Sequence, residues 1–140
     1  MKRCSAEEAV KFIRPVDSLC LGFGPAQPCS LLESMSNRDD WEDLTAFGGM
    51  ILEPYPIFTK PGVHLLSGFF GPAERALRNA GHDVAFLPGD FRRFKLFAER
   101  MHARIMAIAA TPPDADGFLS LSIAAGATVD EIHRCGSDPD

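Results

Sequence analysis

The residues best suited to chemistry in this 140-residue chain form a glycine turn, Gly22-Phe23-Gly24-Pro25-Ala26-Gln27-Pro28. The turn follows an apolar segment that is typical of a strand and precedes a segment that is typical of a helix. Doubly wound proteins place ligands at such junctions, and the first N–H groups of the helix can hold an anion or a developing oxyanion there. The alternative is a plain turn in which glycine serves only the backbone geometry.

Neither of two common nucleotide-binding signatures is present at this turn. A dinucleotide fingerprint needs a third glycine three residues after the second, and Gln27 occupies that position. A Walker A loop needs Gly-Lys-Ser or Gly-Lys-Thr, and no such sequence follows. The ligand of the turn therefore has to be inferred from the rest of the chain.

Two charged clusters could also take part in chemistry. Asp114 and Asp116 precede Gly117 and have the residue types of an acid/base pair or a metal site, but Asp and Gly at this spacing more often form a turn. A basic segment could contact phosphate groups, although a solvated helix face explains it more simply. Its members are Arg92, Arg93, Lys95, Arg100 and Arg104.

The cysteines give little indication of metal or redox chemistry. They are Cys4, Cys20, Cys29 and Cys135, and no two of them form a Cys-x-x-Cys pair. We therefore expect no metal site and no disulfide. Cys29 falls in the first turn of a predicted helix, where a thiol can be activated, but a Cys-His nucleophile would need a histidine partner. None of the four histidines has a diagnostic spacing.

The elements that position the glycine turn alternate between apolar strands and helices. The pattern predicts strands at 17–23, 44–50, 63–70, 84–87, 105–110 and 118–123, and helices at 28–36, 72–80, 91–103 and from Thr128. Ser5 and Glu8 form a capping box before a further helix near the N-terminus. Continuous apolar strands predict a mostly parallel sheet that is covered on both faces, in a three-layer α/β/α fold.

The pattern also carries more specific expectations. Residues 105–110 form the most apolar strand and are expected among the central ones. The prolines of residues 53–62 predict an irregular excursion. Three phenylalanines at helical spacing are expected in the core, namely Phe91, Phe94 and Phe97. Three glutamates are expected on helix surfaces, namely Glu33, Glu74 and Glu131.

Composition and charge limit the class of protein. With 46% hydrophobic residues the chain can bury a core, and its length fits one domain over residues 1–140. The opening MKRCSAEEAV is too acidic for a signal peptide, and no apolar run approaches the ~20 residues of a membrane span. A net charge of −5 argues against a general nucleic-acid binder. We expect a cytoplasmic protein with neither membrane nor nucleic-acid partners.

The order of the segments resembles the N-terminal domain of the acetyl-CoA hydrolase/transferase family, which includes 4-hydroxybutyrate CoA-transferase. The matching stretches are SAEEAVKFI, DSLCLGFGPAQPCSLLESM, VHLLSGFFGPAERALRNAG, DVAFLPGDFRRF and IMAIAATPPDADGFLSLSIAAG, which run from about residue 5 to residue 135. The chain departs from the family's pattern in the last stretch, at Thr111-Pro112-Pro113, Phe118 and Ser122.

The resemblance implies transfer of CoA from an acyl-CoA to a small carboxylate, or hydrolysis of the thioester, through an enzyme-bound glutamyl thioester. It places the catalytic glutamate in a C-terminal half beyond this chain. No residue here is therefore assigned as catalytic, and we expect the chain alone to be inactive. Coenzyme A enters as a substrate, with no other cofactor, and the protein partner is the C-terminal half or another copy of the chain.

The resemblance also assigns binding residues. It implies that the acyl or carboxylate group is bordered by the glycine turn, through Gly22, Phe23, Gly24, Gln27 and Pro28. Ser67 and the Gly48-Gly49 pair at a predicted strand end are further candidates. An alternative function is a binding or regulatory module for a small carboxylate or an acyl-CoA, without catalysis.

Overall fold

A computed structural model describes residues 3–121, 123, 125 and 128–137. Its helices are α1 (Ala6–Val10), α2 (Cys29–Met35), α3 (Pro72–Asn79), α4 (Phe94–Met101) and α5 (Thr128–Ser137). Its strands are β1 (Val16–Leu21), β2 (Asp43–Gly48), β3 (Val63–Ser67), β4 (Val84–Phe86) and β5 (Ile105–Ala107). The capping box of Ser5 and Glu8 is confirmed at the start of α1.

All five strands are parallel, in the order β4-β3-β2-β1-β5. The register pairs Cys20 with Phe47 between β1 and β2, and Gly48 with Ser67 between β2 and β3. Because the strands are parallel, the loops after β1, β2 and β3 all leave the same edge of the sheet, which we call the carboxyl edge. The predicted parallel α/β fold is confirmed.

Side chains along each strand alternate between two buried layers. On one face, Leu19, Leu44 and Leu65 belong to a large core that includes residues of α1, α2 and α3. On the other face, Cys20 and Phe47 pack with Ala98 of α4. The sheet therefore lies between helices on both sides, as the predicted three-layer arrangement requires.

The strand order explains the placement of α4. From β1 to β4 the chain moves across the sheet in one direction, and then it returns past β1 to form β5. Right-handed crossovers require the returning connection to use the opposite face of the sheet, and α4 does contribute to the opposite core. The strand order therefore reverses between β1 and β5, which is the switch point where open α/β sheets bind ligands.

Two strand predictions near the end of the chain are wrong. The strand at 105–110 is not central, since β5 contains only Ile105–Ala107 and is hydrogen-bonded to β1 alone. Its apolar sequence reflects coverage of its faces by helices, including α5, rather than strands on both sides. Residues 118–121 form no strand, and Phe118 is 73% exposed.

The excursion at 53–62 is irregular as predicted, with a short 3₁₀ helix at Pro56–Thr59. It nevertheless supplies part of the core, because Tyr55, Ile57 and Phe58 are all buried. Phe94 is also buried, but Phe91 is 57% exposed, so its predicted core position is wrong. Phe91 precedes α4 in a 3₁₀ turn and therefore does not share the inner face of that helix.

A buried ion pair closes the opposite, amino edge of the sheet. The Asp17 side chain accepts hydrogen bonds from Arg104 and from the amides of Arg14 (2.8 Å) and Ser18 (2.9 Å). Burial alone would raise the pKa of Asp17, but these donors outweigh it and hold the pKa below its usual value.

Within the described ranges, no helix is long and apolar enough to cross a membrane.

Candidate functional site

The glycine turn lies at the carboxyl edge, at the switch point between β1 and β5. The Gly22 amide donates to Ala107 O (2.9 Å), which ties the start of the turn to β5. The Gly24 amide donates to Gly49 O (3.2 Å), which ties its middle to the loop after β2. Gly24 then opens a 3₁₀ helix over Gly24–Ala26. The sequence prediction of a strand–turn–helix junction is thus confirmed, with α2 beginning at Cys29.

Most strand-end glycines make room for neighbouring protein atoms. A Cβ on Gly22 would lie 2.2 Å from the Ala26 carbonyl oxygen, and one on Gly68 would lie 2.6 Å from the Phe94 ring. A Cβ on Gly49 would lie 3.0 Å from the Phe69 ring. Internal packing therefore favours glycine at Gly22 and Gly68, and leaves little room for a side chain at Gly49, whether or not a ligand binds nearby.

Gly24 is required for a different reason. Its φ is +51°, in the left-handed region that favours glycine. A Cβ on Gly24 would make only ordinary contacts, the nearest being Met50 Cβ at 3.8 Å. Gly24 itself is buried, so its backbone conformation, rather than close packing, is what favours glycine at this position.

The amides of the turn are mostly used within the protein. Those of Gly22 and Gly24 are bonded as described, the Ala26 amide donates to Phe23 O (3.1 Å), and the Gln27 amide donates to Gly24 O (3.0 Å). Among the described residues, the Phe23 amide has no hydrogen-bond partner. It is therefore the candidate donor to a ligand oxygen within the glycine turn.

An aromatic cluster lies beside the turn. The Phe23 ring meets the rings of Phe47 and Phe94 edge to face, with centroids 5.7 Å and 5.3 Å apart. Phe69, which follows β3, packs against Phe94 at 5.2 Å. Phe91 lies 5.6 Å from Phe94 and remains largely exposed. The carboxyl edge thus combines a backbone turn with apolar rings, a surface suited to an acyl group with a polar end.

Two buried polar side chains hold residues 50–52, the loop that faces Gly24. The Gln27 amide group donates to Met50 O (3.3 Å) and accepts from Leu52 N (3.2 Å). Glu74, at the start of α3, accepts from Ile51 N (2.9 Å). Gln27, a predicted binding residue, therefore contributes by bracing this loop through its side chain.

Glu74 has no exposed surface, so the prediction that it lies on a helix surface is wrong. Besides Ile51 N, its carboxylate accepts from Ser67 Oγ (3.0 Å) and Gly71 N (3.0 Å). The third residue of a helix can turn back to cap the preceding backbone. The Gly71-Pro72-Ala73-Glu74 spacing could have indicated this, whereas the contacts with Ile51 and Ser67 depend on the tertiary fold.

The remaining predicted binding residues lie around this network. Ser67 is fully buried and its hydroxyl is engaged by Glu74 and Phe69 O, so it faces the protein interior. Pro28 caps α2 and is half-buried. Gly48 pairs with Ser67 in the sheet, and Gly49 supplies the carbonyl that receives the Gly24 amide. The fold thus brings the predicted residues to one edge, where Phe23 is partly exposed and Gly24 is buried.

The other candidate residues have structural roles. Asp114 Oδ1 accepts from the amides of Asp116 (3.0 Å) and Phe118 (2.8 Å), which confirms the turn interpretation.

Cys29 Sγ receives a hydrogen bond from Tyr55 OH (3.1 Å). Burial, with a smaller contribution from Cys29, raises the pKa of Tyr55. In the described part of the chain, no group of three or more His, Cys, Asp or Glu residues could hold a metal.

The basic segment does not converge on a single point. Arg104 pairs with Asp17, and Lys95 pairs with Asp130 (2.8 Å). Arg92 and Arg93 lie 3.6 Å and 3.7 Å from Asp90 and are largely exposed. These contacts favour the interpretation of a solvated face over that of a phosphate site.

Glu131 is another glutamate whose predicted surface position is wrong. It is 1% exposed and accepts from the Arg134 guanidinium at 2.9 Å and 3.0 Å. Its burial follows from the packing of α5 against β5 and α4. Burial, with a smaller contribution from Glu131, raises the pKa of the nearby Cys20 thiol to about 12.

A groove with a volume of about 480 Å³ lies between α1, α2 and β5. It is lined mainly by apolar residues such as Phe12, Leu31 and Ile105. Its Arg104 is already paired with Asp17. We therefore place the candidate site at the glycine turn rather than in this groove.

The fold closely matches solved structures of RipA. The crystal structure of RipA from Yersinia pestis superposes with a TM-score of 0.77 at 24% identity, covering 92% of this chain and 33% of that one. Two RipA point mutants give TM-scores of 0.78 and 0.76 at 23% identity, covering 94% and 92% of this chain and 34% and 32% of theirs. The chain thus spans about a third of the length of these structures. At this level of identity the likeness establishes the fold alone.

The other comparisons gave no match. The sequence matches no family model, and no curated protein matches it.

Proposed function

We propose that this chain forms one wall of the active cleft of an acyl-CoA:carboxylate CoA-transferase or acyl-CoA hydrolase. The resemblance of its segments to the acetyl-CoA hydrolase/transferase family supports the proposal. The observation that carries it is Gly24, which adopts a left-handed φ beside an unpartnered Phe23 amide at the sheet's switch point. On this proposal the protein acts in the cytoplasm.

The proposed reaction assigns a role to this wall. A carboxylate oxygen attacks the thioester carbonyl carbon, the carbonyl oxygen gains negative charge, and the C–S bond then breaks as the CoA thiolate leaves. The Phe23 amide is suited to donate to that oxygen, because an N–H fixed in a partly buried turn needs no reorganisation as charge develops. The neighbouring aromatic rings are suited to contact the acyl carbons.

The attacking carboxylate is assigned to the C-terminal half. Glu74 is the glutamate at the carboxyl edge, but its carboxylate is buried and hydrogen-bonded to three donors. Covalent catalysis needs the nucleophile and the oxyanion donor around one carbon atom. One wall of a cleft does not supply both, so we expect the chain alone to lack turnover.

A turnover assay tests this assignment. Acetyl-CoA is incubated with the pure 140-residue chain, with a separately expressed C-terminal half of a family enzyme, and with both together. We expect release of free CoA only from the mixture, in the presence of a carboxylate acceptor or water. Turnover by the chain alone, above the rate without protein, would place the nucleophile in this chain and overturn the assignment.

Equilibrium dialysis, combined with the turnover assay, tests the alternative function. A binding or regulatory module would retain acetyl-CoA or acetate in equilibrium dialysis yet give no turnover in any mixture. The engaged Glu74 carboxylate favours this alternative over catalysis by the isolated chain.

A further inference from the structure

We propose that Glu74 is a positioning residue for the glycine turn, acting through the backbone of residues 50–52. The inference rests on the proposed function of that turn. Glu74 lies on α3, which follows β3, whereas the turn follows β1. Its effect must therefore cross the loop that follows β2.

The path consists of four hydrogen bonds. Glu74 accepts from Ile51 N (2.9 Å), and the residues on either side of Ile51 are bonded to the Gln27 side chain. Gln27 ends the glycine turn, and Gly49, two residues before Ile51, accepts from the Gly24 amide. Displacement of Ile51 therefore changes both attachments of the turn to this loop.

These hydrogen bonds also maintain the unusual backbone conformation of Met50. Met50 has a φ of +52°, in a region that non-glycine residues rarely adopt. Such a conformation persists where surrounding contacts over-determine it. The hydrogen bond that Gln27 donates to Met50 O and the one that Ile51 N donates to Glu74 provide those contacts. The Met50 side chain lies beside Gly24, 3.8 Å from the position of a Cβ there.

A carboxylate suits this position better than the amide of glutamine does. Its two oxygens accept from Ile51 N, Ser67 Oγ and Gly71 N at 2.9–3.0 Å. In Glu74→Gln one oxygen becomes an NH₂ donor, which would face a donor and leave it unsatisfied in the interior. The substitution keeps the side-chain shape while breaking at least one of the three attachments.

The test compares Glu74→Gln with Asp17→Asn. Asp17 is the matched control, because it too is a buried carboxylate bonded to backbone amides, but it lies at the amino edge of the sheet. Backbone amide chemical shifts are measured without ligand, and acetyl-CoA affinity is measured for each folded variant. We expect Glu74→Gln to shift the Gly24 and Met50 amides and to weaken acetyl-CoA binding at least tenfold. Asp17→Asn should leave both unchanged.

Each outcome decides the proposal. Unchanged Gly24 and Met50 amides in a folded Glu74→Gln variant would overturn it. Equal loss of affinity in both variants would show a general loss of stability instead, and would also overturn it. If Glu74→Gln does not fold, Ser67→Ala removes one donor to Glu74 and should shift the same amides by less, whereas no shift would refute the path.

The amide shifts also separate this proposal from the proposed function. If the wild-type chain does not bind acetyl-CoA, the proposed ligand is wrong. The ligand-free shifts of Gly24 still show whether Glu74 positions the turn.

Discussion

Gly24→Ala tests whether the glycine turn contacts a ligand. Alanine at the left-handed φ of +51° costs about 1–2 kcal/mol in backbone strain. The new methyl group meets only Met50, at an ordinary contact distance of 3.8 Å, so no steric cost is added within the protein. A domain of this size loses about 3–5 °C in Tm for each 1 kcal/mol, and we expect a folded variant.

Gly81→Ala supplies the matched control. Gly81 also has a positive φ, +90°, and a Cβ there would have no neighbour within 4 Å. It follows α3 and lies before β4, so it is away from the carboxyl edge. Gly81→Ala should lose at least as much stability as Gly24→Ala, because a φ of +90° lies further outside the left-handed region that alanine can adopt; thermal unfolding measures both losses.

The two variants should differ in ligand binding. Because Gly24 directly follows the Phe23 amide that is proposed to contact the ligand, we expect acetyl-CoA affinity to fall at least tenfold, or about 1.4 kcal/mol. Gly81→Ala should bind as the wild type does, in titration calorimetry well below the Tm. Equal affinity of folded Gly24→Ala and Gly81→Ala would refute the argument, because the turn would then not contact the ligand.

Three further predictions concern stability and reactivity. The hydrogen-bond donors around Asp17 hold its pKa below the usual value despite burial. The ion pair of Asp17 with Arg104 therefore stabilises the fold fully above about pH 4, and this contribution is lost as pH falls through the folded pKa. The unfolding free energies of the wild type and Asp17→Asn should converge at low pH, and a constant difference would contradict this. Burial raises the pKa of Cys20 to about 12. Iodoacetamide at pH 8 should therefore label the exposed Cys4 in the native protein and Cys20 only after unfolding, as measured by peptide mass spectrometry. Rapid labelling of Cys20 in the native protein would contradict this. Phe94→Ala removes the ring at the centre of the aromatic cluster. The free energy of unfolding, measured with denaturant, should fall by about 3–5 kcal/mol. A fall below about 1 kcal/mol would show that the cluster is not packed as described.

Sequence patterns predicted the repeating elements well, because apolar periodicity and glycine or proline turns are local signals. The strand before the glycine turn and the helix after it were found in this way. Strand order is not local, since residues 105–110 are apolar enough for a central strand while β5 lies at the edge. Apolar composition reports that a strand is covered, not how many strands adjoin it.

The candidate site was predicted in part for a similar reason. The glycine turn is a local motif, and its position at the switch point was seen only once the strand order was known. The interior role of Glu74 depends on Ile51, which is 23 residues away in the sequence. No spacing rule connects these positions, and a charged residue in a helix is ordinarily expected on the surface.

The most direct test of the central claim is a titration of the ¹⁵N-labelled chain with acetyl-CoA, followed through backbone amide shifts. The account predicts that the largest changes occur at Phe23, Gly24 and Met50, with the Phe23 amide moving downfield as it donates to the ligand oxygen. The control amide of Gly81 should not move. Unchanged shifts at millimolar acetyl-CoA, or changes confined to residues away from the carboxyl edge, would contradict the claim that this turn borders the acyl group.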